Sequence, residues 1–276
     1  MKDENINFDE NEDKNSLKKK LEDAMKEAKE LGGWNSFKNG EWLFKLIRKS
    51  LRNYWEKGNA EYFKKKYKSN DEEFLYKKLV SITARNASLL GGVVGAAVSI
   101  DEILAIIEAI TAPATGGGST IPLPAQLGVA VAALTGEAVL LVKMQLHLVV
   151  NIGKIYKIDL DPDDPEDILT ILAFAVGGSV AEEAGRFGMK VGSKIAAKSA
   201  KGIFKKETLE ALKKIGSKLG VKILQRTIVK YVVPLASIGI GMGWNYYSTK
   251  AIGKIAKKHF LARRNDSNNR AETVGV

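Results

Sequence analysis

Four side chains could do chemistry because of where they sit rather than through any motif. Asp101, Glu108 and Glu137 are carboxylates set in apolar stretches, and His147 is the histidine of the apolar middle of the chain. Asp101 and Glu108 are two helical turns apart and so share one face. A buried carboxylate without a partner is costly, so each must be ion-paired, hydrogen-bonded, protonated or turned to solvent. Gathered with His147 in a cleft between helices, such groups could move protons and make the chain a hydrolase. The competing arrangement is structural pairing, with Lys143 or a lysine of the basic C-terminal third as the cation. Glu182 and Glu183, near Gly185, raise the same question. No HExxH, HxH or nucleophile elbow accompanies His147 or His259, and Gly116-Gly-Gly118 lacks the Gly-Lys-Ser/Thr of a phosphate loop. The reading leans away from an enzyme, and no cofactor is expected.

Asp159, Asp161 and Asp163 imitate the first three ligands of a calcium loop. The sixth position is then Asp164 instead of glycine, and the twelfth is Thr170 instead of glutamate. Helix capping explains these carboxylates better: Asp164 suits an N-cap, with Pro165 at the first helical position and Glu166 and Asp167 in the first turn.

Cations form longer patterns. Arg186, Lys190, Lys194, Lys198, Lys201 and Lys205 follow steps of three and four, and Lys214, Lys218, Lys222, Arg226 and Lys230 repeat every four. Between them stand apolar residues such as Val191, Ile195, Leu219, Ile223 and Leu224. Basic amphipathic helices of this kind suit anionic lipid headgroups, each exposed Lys or Arg contributing about 1 kcal/mol near such a surface. A merely solvated helix face is the plainer alternative. Nucleic acid is the competing anion, since Trp34, Trp42, Phe44, Trp55, Tyr62, Phe63 and Tyr67 interleave with lysines and could stack bases. No nucleic-acid module is recognisable, and aromatics at helical spacing commonly face a core, so nucleic acid is disfavoured.

The charge is segregated along the 276 residues. Residues 1–85 carry a net +4, residues 86–183 a net −9 and residues 184–276 a net +16. There are no cysteines, which excludes disulfides, thiolate metal sites and a cysteine nucleophile and fits a reducing cytoplasm. No basic start followed by a hydrophobic run marks a secretory signal in the first fifteen residues.

The elements that must position these groups are helical. Leu134, Ala138, Leu141, Gln145, Leu148 and Ile152 recur at helical spacing, which predicts one long helix over 125–157. Pro122 and Pro124 precede it, and Pro162 and Pro165 stop it. No alternating run with hairpin turns appears, so the expected fold is all-α, a helical bundle with long Gly-rich apolar helices and basic C-terminal ones. Residues 86–100, 109–136 and 231–249 are apolar, but acids, prolines or glycines make each a poor membrane span. The pairs Gly91/Gly95, Gly188/Gly192, Gly216/Gly220 and Gly239/Gly243 would let a neighbouring backbone approach, in lipid or in a soluble bundle. The expected division is a disordered tail at 1–15, a charged helical extension at 16–85, the main helical domain at 86–264 and a second disordered tail at 265–276.

Several segments, in order, resemble the EcsC family, a mainly bacterial group. They are Leu89-Leu-Gly-Gly-Val-Val-Gly95, the stretch from Leu134-Thr-Gly-Glu-Ala-Val to His147, Ile155-Tyr156 with the acidic connector, and Gly216 through Gly220 to Arg226. Val233-Pro234, Gly239-Ile-Gly-Met-Gly-Trp-Asn245, Thr249, Gly253 and His259 complete the set. The resemblance covers about residues 75–262, and relatives often have Tyr-Gly where this chain has Tyr156-Lys157. It implies a mostly helical protein without an established reaction or catalytic residue set. Some relatives are encoded beside ABC transporter components, so a transporter-associated scaffold is a further expectation. The leading expectation is a cytoplasmic protein peripheral at the inner face of a membrane, binding anionic lipid through its basic helices.

Overall fold

The computed structural model describes residues 10, 12–57, 60–97, 101–102, 105–106, 128–158, 168–169, 171–172, 206–231 and 237–274. Among these the fold is all-α, with eight helices in chain order. They are α1 (Lys14–Glu30), α2 (Gly33–Lys38), α3 (Glu41–Lys57), α4 (Ala60–Tyr67), α5 (Glu72–Gly95), α6 (Gly128–Ile155), α7 (Lys206–Val229) and α8 (Ser237–Val274).

Local chemistry sets several boundaries. Asp13 caps α1 by accepting the Ser16 amide at 2.8 Å, and Asp71 caps α5 by accepting the Glu73 amide at 2.9 Å. Glu72 and Glu73 then occupy the first turn of α5, where the helix dipole favours them. α6 ends when Lys157 takes a φ of 57° and the Ile158 amide reaches back to the Gly153 carbonyl at 2.9 Å. That is the left-handed C-terminal closure in which glycine is the usual residue.

α6 is the hub, with α1, α3, α5, α7 and α8 packed around it. Leu134, Ala138, Val142, Leu146, Val149 and Ile152 are all fully buried along it. Gly136 makes room for α1, since a Cβ there would lie 2.5 Å from Cγ of Met25. α8 runs along α5, with Gly253 against Val80 and ion pairs from Lys257 to Glu73 and from Arg264 to Glu72. One helix among the described residues, α6, is long and apolar enough to cross a membrane by length and composition. Its most apolar window is 83% buried inside the bundle.

Three expectations about domain limits need correction. α5 passes through residue 85 without a break, and side chains from Leu17 to Phe260 belong to one core, so 16–85 is no separate extension. The composition changes at 86 because α1, α3 and α4 each keep a lysine-rich outer face whereas α6 has almost none. The 1–15 tail is shortened by α1, which begins at Lys14 with Glu12 already buried. The 265–276 tail is helical as far as Val274. The long helix expected over 125–157 is observed at Gly128–Ile155. The connector at 159–167, with Asp159, Asp161, Asp163 and the proposed cap at Asp164, lies outside the described residues.

The aromatics weighed as base-stacking platforms instead build the core. Trp42 is fully buried and stacks on Phe37 with ring centroids 4.6 Å apart, and Phe44 and Phe63 are buried as well. Tyr62 is exposed and Trp34 and Tyr67 are partly buried. Gly216 and Gly220 turn out to serve α2 and α3. A Cβ on Gly220 would lie 2.4 Å from the Gly40 carbonyl oxygen, and Trp42 Nε1 donates to the Gly220 carbonyl at 3.3 Å.

Candidate functional site

The most concentrated polar chemistry lies at the heart of the bundle, where α5, α6 and α8 meet the end of α7. α6 brings Glu137, placed there because the apolar stripe on either side keeps the helix buried all round. α7 stops at Val229, and the next two amides turn back, Lys230 to the Arg226 carbonyl at 3.3 Å and Tyr231 to that of Ile228 at 3.0 Å. Lys230 thus keeps the helical hydrogen bond to the residue four before it, and the helical period carries both side chains to the buried side. α8 contributes Asn245. Glu137, Tyr231 and Asn245 have no exposed surface, and the Lys230 side chain is 1% exposed.

Glu137 accepts three hydrogen bonds. Lys230 Nζ reaches Oε1 at 2.5 Å, Asn245 Nδ2 reaches the same oxygen at 2.8 Å, and Tyr231 Oη reaches Oε2 at 2.8 Å. Asn245 works in both directions, accepting from Lys230 at 2.9 Å and donating to the Ala87 carbonyl of α5 at 3.1 Å. Tyr231 Oη also lies 3.2 Å from the Gly91 carbonyl, but it has one proton, and the shorter contact to the carboxylate takes it. Lys230 Nζ sits 4.8 Å from the centroid of the Tyr231 ring, adding a cation–π contact. Burial pushes the Lys230 ammonium below its ordinary pKa against the opposing pull of Glu137. Burial, reinforced by the Glu137 charge, raises the Tyr231 phenol far above its own, so it stays a donor. The carboxylate is saturated and closed off from solvent, which makes the group a structural clamp rather than a proton-transfer site.

The other acid–base candidates do not join it. His147 is ten residues along α6, about 15 Å by helical rise, and Asp101 is exposed. Glu108, Glu182 and Glu183 lie outside the described residues. His147 lines a shallow pocket with Tyr62, Phe63, Lys66, Thr83 and Asn151, and its ring meets Tyr54 edge-on at 5.5 Å. Burial alone pulls its pKa down to about 4, so the ring is neutral near pH 7. Lys143 pairs with Glu27 of α1 at 2.7 Å, not with Glu137, and Lys49 joins the same carboxylate at 3.1 Å. Burial pushes the Glu27 carboxyl up, but those two ammonium groups outweigh it and hold the pKa below the usual value.

The basic repeat divides. Lys214, Lys218 and Arg226 are exposed and Lys222 is half-exposed, so they form an outer face of α7. Lys230, expected on the same face, is instead sequestered with Glu137: each step of four overshoots the 3.6-residue turn by about 40°, so three steps from Lys218 carry it about 120° round, between buried Leu219 and Ile223. Arg186, Lys190, Lys194, Lys198, Lys201 and Lys205 lie outside the described residues. Among the described residues no cluster of three or more His, Asp or Glu side chains could hold a metal ion.

Sequence reasoning identified Glu137 and named a lysine of the basic helices as a partner, but missed Tyr231 and Asn245. A signal existed for the cation: Lys230 stands within Val229, Tyr231, Val232 and Val233, an apolar run that no solvated lysine needs. Compared with family models, curated proteins and solved structures, the chain matches none.

Proposed function

We propose that the chain is a peripheral protein of an anionic membrane surface, EcsC-like in make-up, that docks through the outer face of α7. One observation carries this reading. The described outer face of α7 presents Lys213, Lys214, Lys218, Lys222 and Arg226 along four turns, with Glu210 as the exposed carboxylate at its start. No Asp or Glu occurs from residue 211 to residue 265. Three cations of that stretch, Arg264, Lys257 and Lys230, pair with carboxylates of other helices, Glu72 and Glu73 of α5 and Glu137 of α6. A positive face of this length attracts anionic headgroups over about a Debye length, 8 Å in physiological salt.

The closure of α6 supports the resemblance. At the position where EcsC relatives often carry glycine, Lys157 adopts the left-handed conformation that glycine takes without strain. A cytoplasmic site at the inner leaflet follows from the same proposal, since that leaflet is the anionic one. Co-sedimentation with vesicles tests it. The chain should pellet with vesicles containing phosphatidylserine or phosphatidylglycerol, less with neutral ones, and less again as salt rises. Reversal of Lys214, Lys218 and Lys222 to Glu should release it by at least about tenfold, as three charges at about 1 kcal/mol each require. Equal binding to neutral and anionic vesicles at moderate salt would sink the proposal.

A further inference from the structure

We infer that the exposed aromatic face at the start of α8 is the part of the molecule that enters the membrane interface, with Trp244 and Tyr247 as its anchors. The inference rests on the proposed docking through α7 and adds to it an apolar contact of defined position. Large apolar side chains in this bundle are mostly enclosed, yet Val229, Trp244 and Tyr247 are 57%, 45% and 71% exposed. The two aromatics belong to one helix. Trp244 and Tyr247 are three residues apart on α8 and so share a face. Trp244 and Ser248 of α8 line one pocket with Arg226 and Thr227 of α7 and Leu141 and Gln145 of α6.

Cations accompany these rings. Arg226 of α7 shares the pocket with Trp244, and exposed Lys250 and Lys254 follow Tyr247 at three and seven residues on α8. Lys250 also lies over the Tyr246 ring, 4.6 Å from its centroid. An aromatic strip beside basic residues matches a bilayer interface, where indole and phenol rings settle at headgroup depth and lysines meet phosphates. A protein partner would be expected to supply carboxylates to these lysines. An anionic lipid surface supplies the same charge without needing a matched shape.

Tryptophan fluorescence separates this inference from the reading beneath it. Of the four tryptophans, Trp42 is fully buried, whereas Trp244 is open to solvent. The full chain, mixed with anionic vesicles carrying brominated acyl chains, should lose emission, and Trp244→Phe should remove most of that loss. Trp244→Ala combined with Tyr247→Ala should lower vesicle affinity by at least about tenfold while leaving the circular dichroism unchanged, as expected for exposed positions. Binding to anionic vesicles with the same quenching in wild type and Trp244→Phe would overturn the anchor and leave docking through α7 standing. Absence of vesicle binding would overturn both. A Trp244 emission shift that follows protein concentration instead of lipid would assign the strip to a second copy of the chain and also overturn the inference.

Discussion

Lys218 and Lys230 belong to the same four-residue repeat, three steps apart, and end in opposite environments. Lys218 is exposed on α7, whereas Lys230 is enclosed against Glu137, Asn245 and the Tyr231 ring. What separates them is the drift of a four-residue repeat on a 3.6-residue helix, about 40° a step and about 120° over three, which brings Lys230 to the side of buried Leu219 and Ile223. A four-residue spacing therefore predicts a shared face over one or two steps only, and by the third the cation has turned from solvent to the core. The exposed lysine gives the surface its sign. The buried one neutralises the carboxylate that α6 could not otherwise bury.

The contrast breaks most sharply by truncation. Lys230→Ala should destabilise the fold by about 3–5 kcal/mol, because Glu137 is left charged and unpaired in the core. Lys218→Ala should change stability by no more than about 0.5 kcal/mol. Chemical denaturation of both variants checks this, and similar midpoints would mean that the Glu137 clamp is not formed. Replacing the pair together, Glu137→Leu with Lys230→Met, should cost much less than the sum of the single changes.

A second, part-buried group sharpens the comparison through pH. His147 has a folded pKa near 4 against an ordinary 6.5, so the unfolded chain binds the extra proton between those values. Stability from this group is complete above about pH 6.5 and is lost as pH falls towards 4, by about 3 kcal/mol. His147→Gln should flatten that part of a stability–pH curve. The exposed lysines of α7 should leave it unchanged. A wild-type curve already flat between pH 6.5 and 4.5 would show that the ring is solvated.

The smallest effect concerns backbone alone. Lys157→Gly should stabilise the chain by about 0.5 kcal/mol, relief of the left-handed strain being partly offset by the entropy of glycine. Thermal melts of the two proteins would read it, and a lowered midpoint would contradict the conformation at residue 157.

These residues also show what could be read in advance. The limits of α6 were legible because prolines flank an uninterrupted helical period, and the all-α fold followed from the same period elsewhere. Glu137 stood out because a carboxylate in an apolar helix has to be accounted for. Its partners did not, since Lys230, Tyr231 and Asn245 are 93 or more positions away and one sequence holds no record of such pairings. The break expected at residue 85 failed for a related reason. Composition reports how much of each helix faces water, and α1 and α3 turn an apolar stripe to the hub that their lysines hide from a segment average.

The contact of Gly40 with Gly220, sealed by the Trp42 indole, joins residues about 180 positions apart. At a synthesis rate of about 5–20 residues per second, the first of these glycines waits roughly ten to thirty seconds for the second. For that interval the side of Trp42 and α3 that α7 covers stays open, although Phe37 and then α6 already supply the rest of its packing. A ribosome stalled before α7 would therefore hold an N-terminal half that is fully translated yet unable to complete its own core.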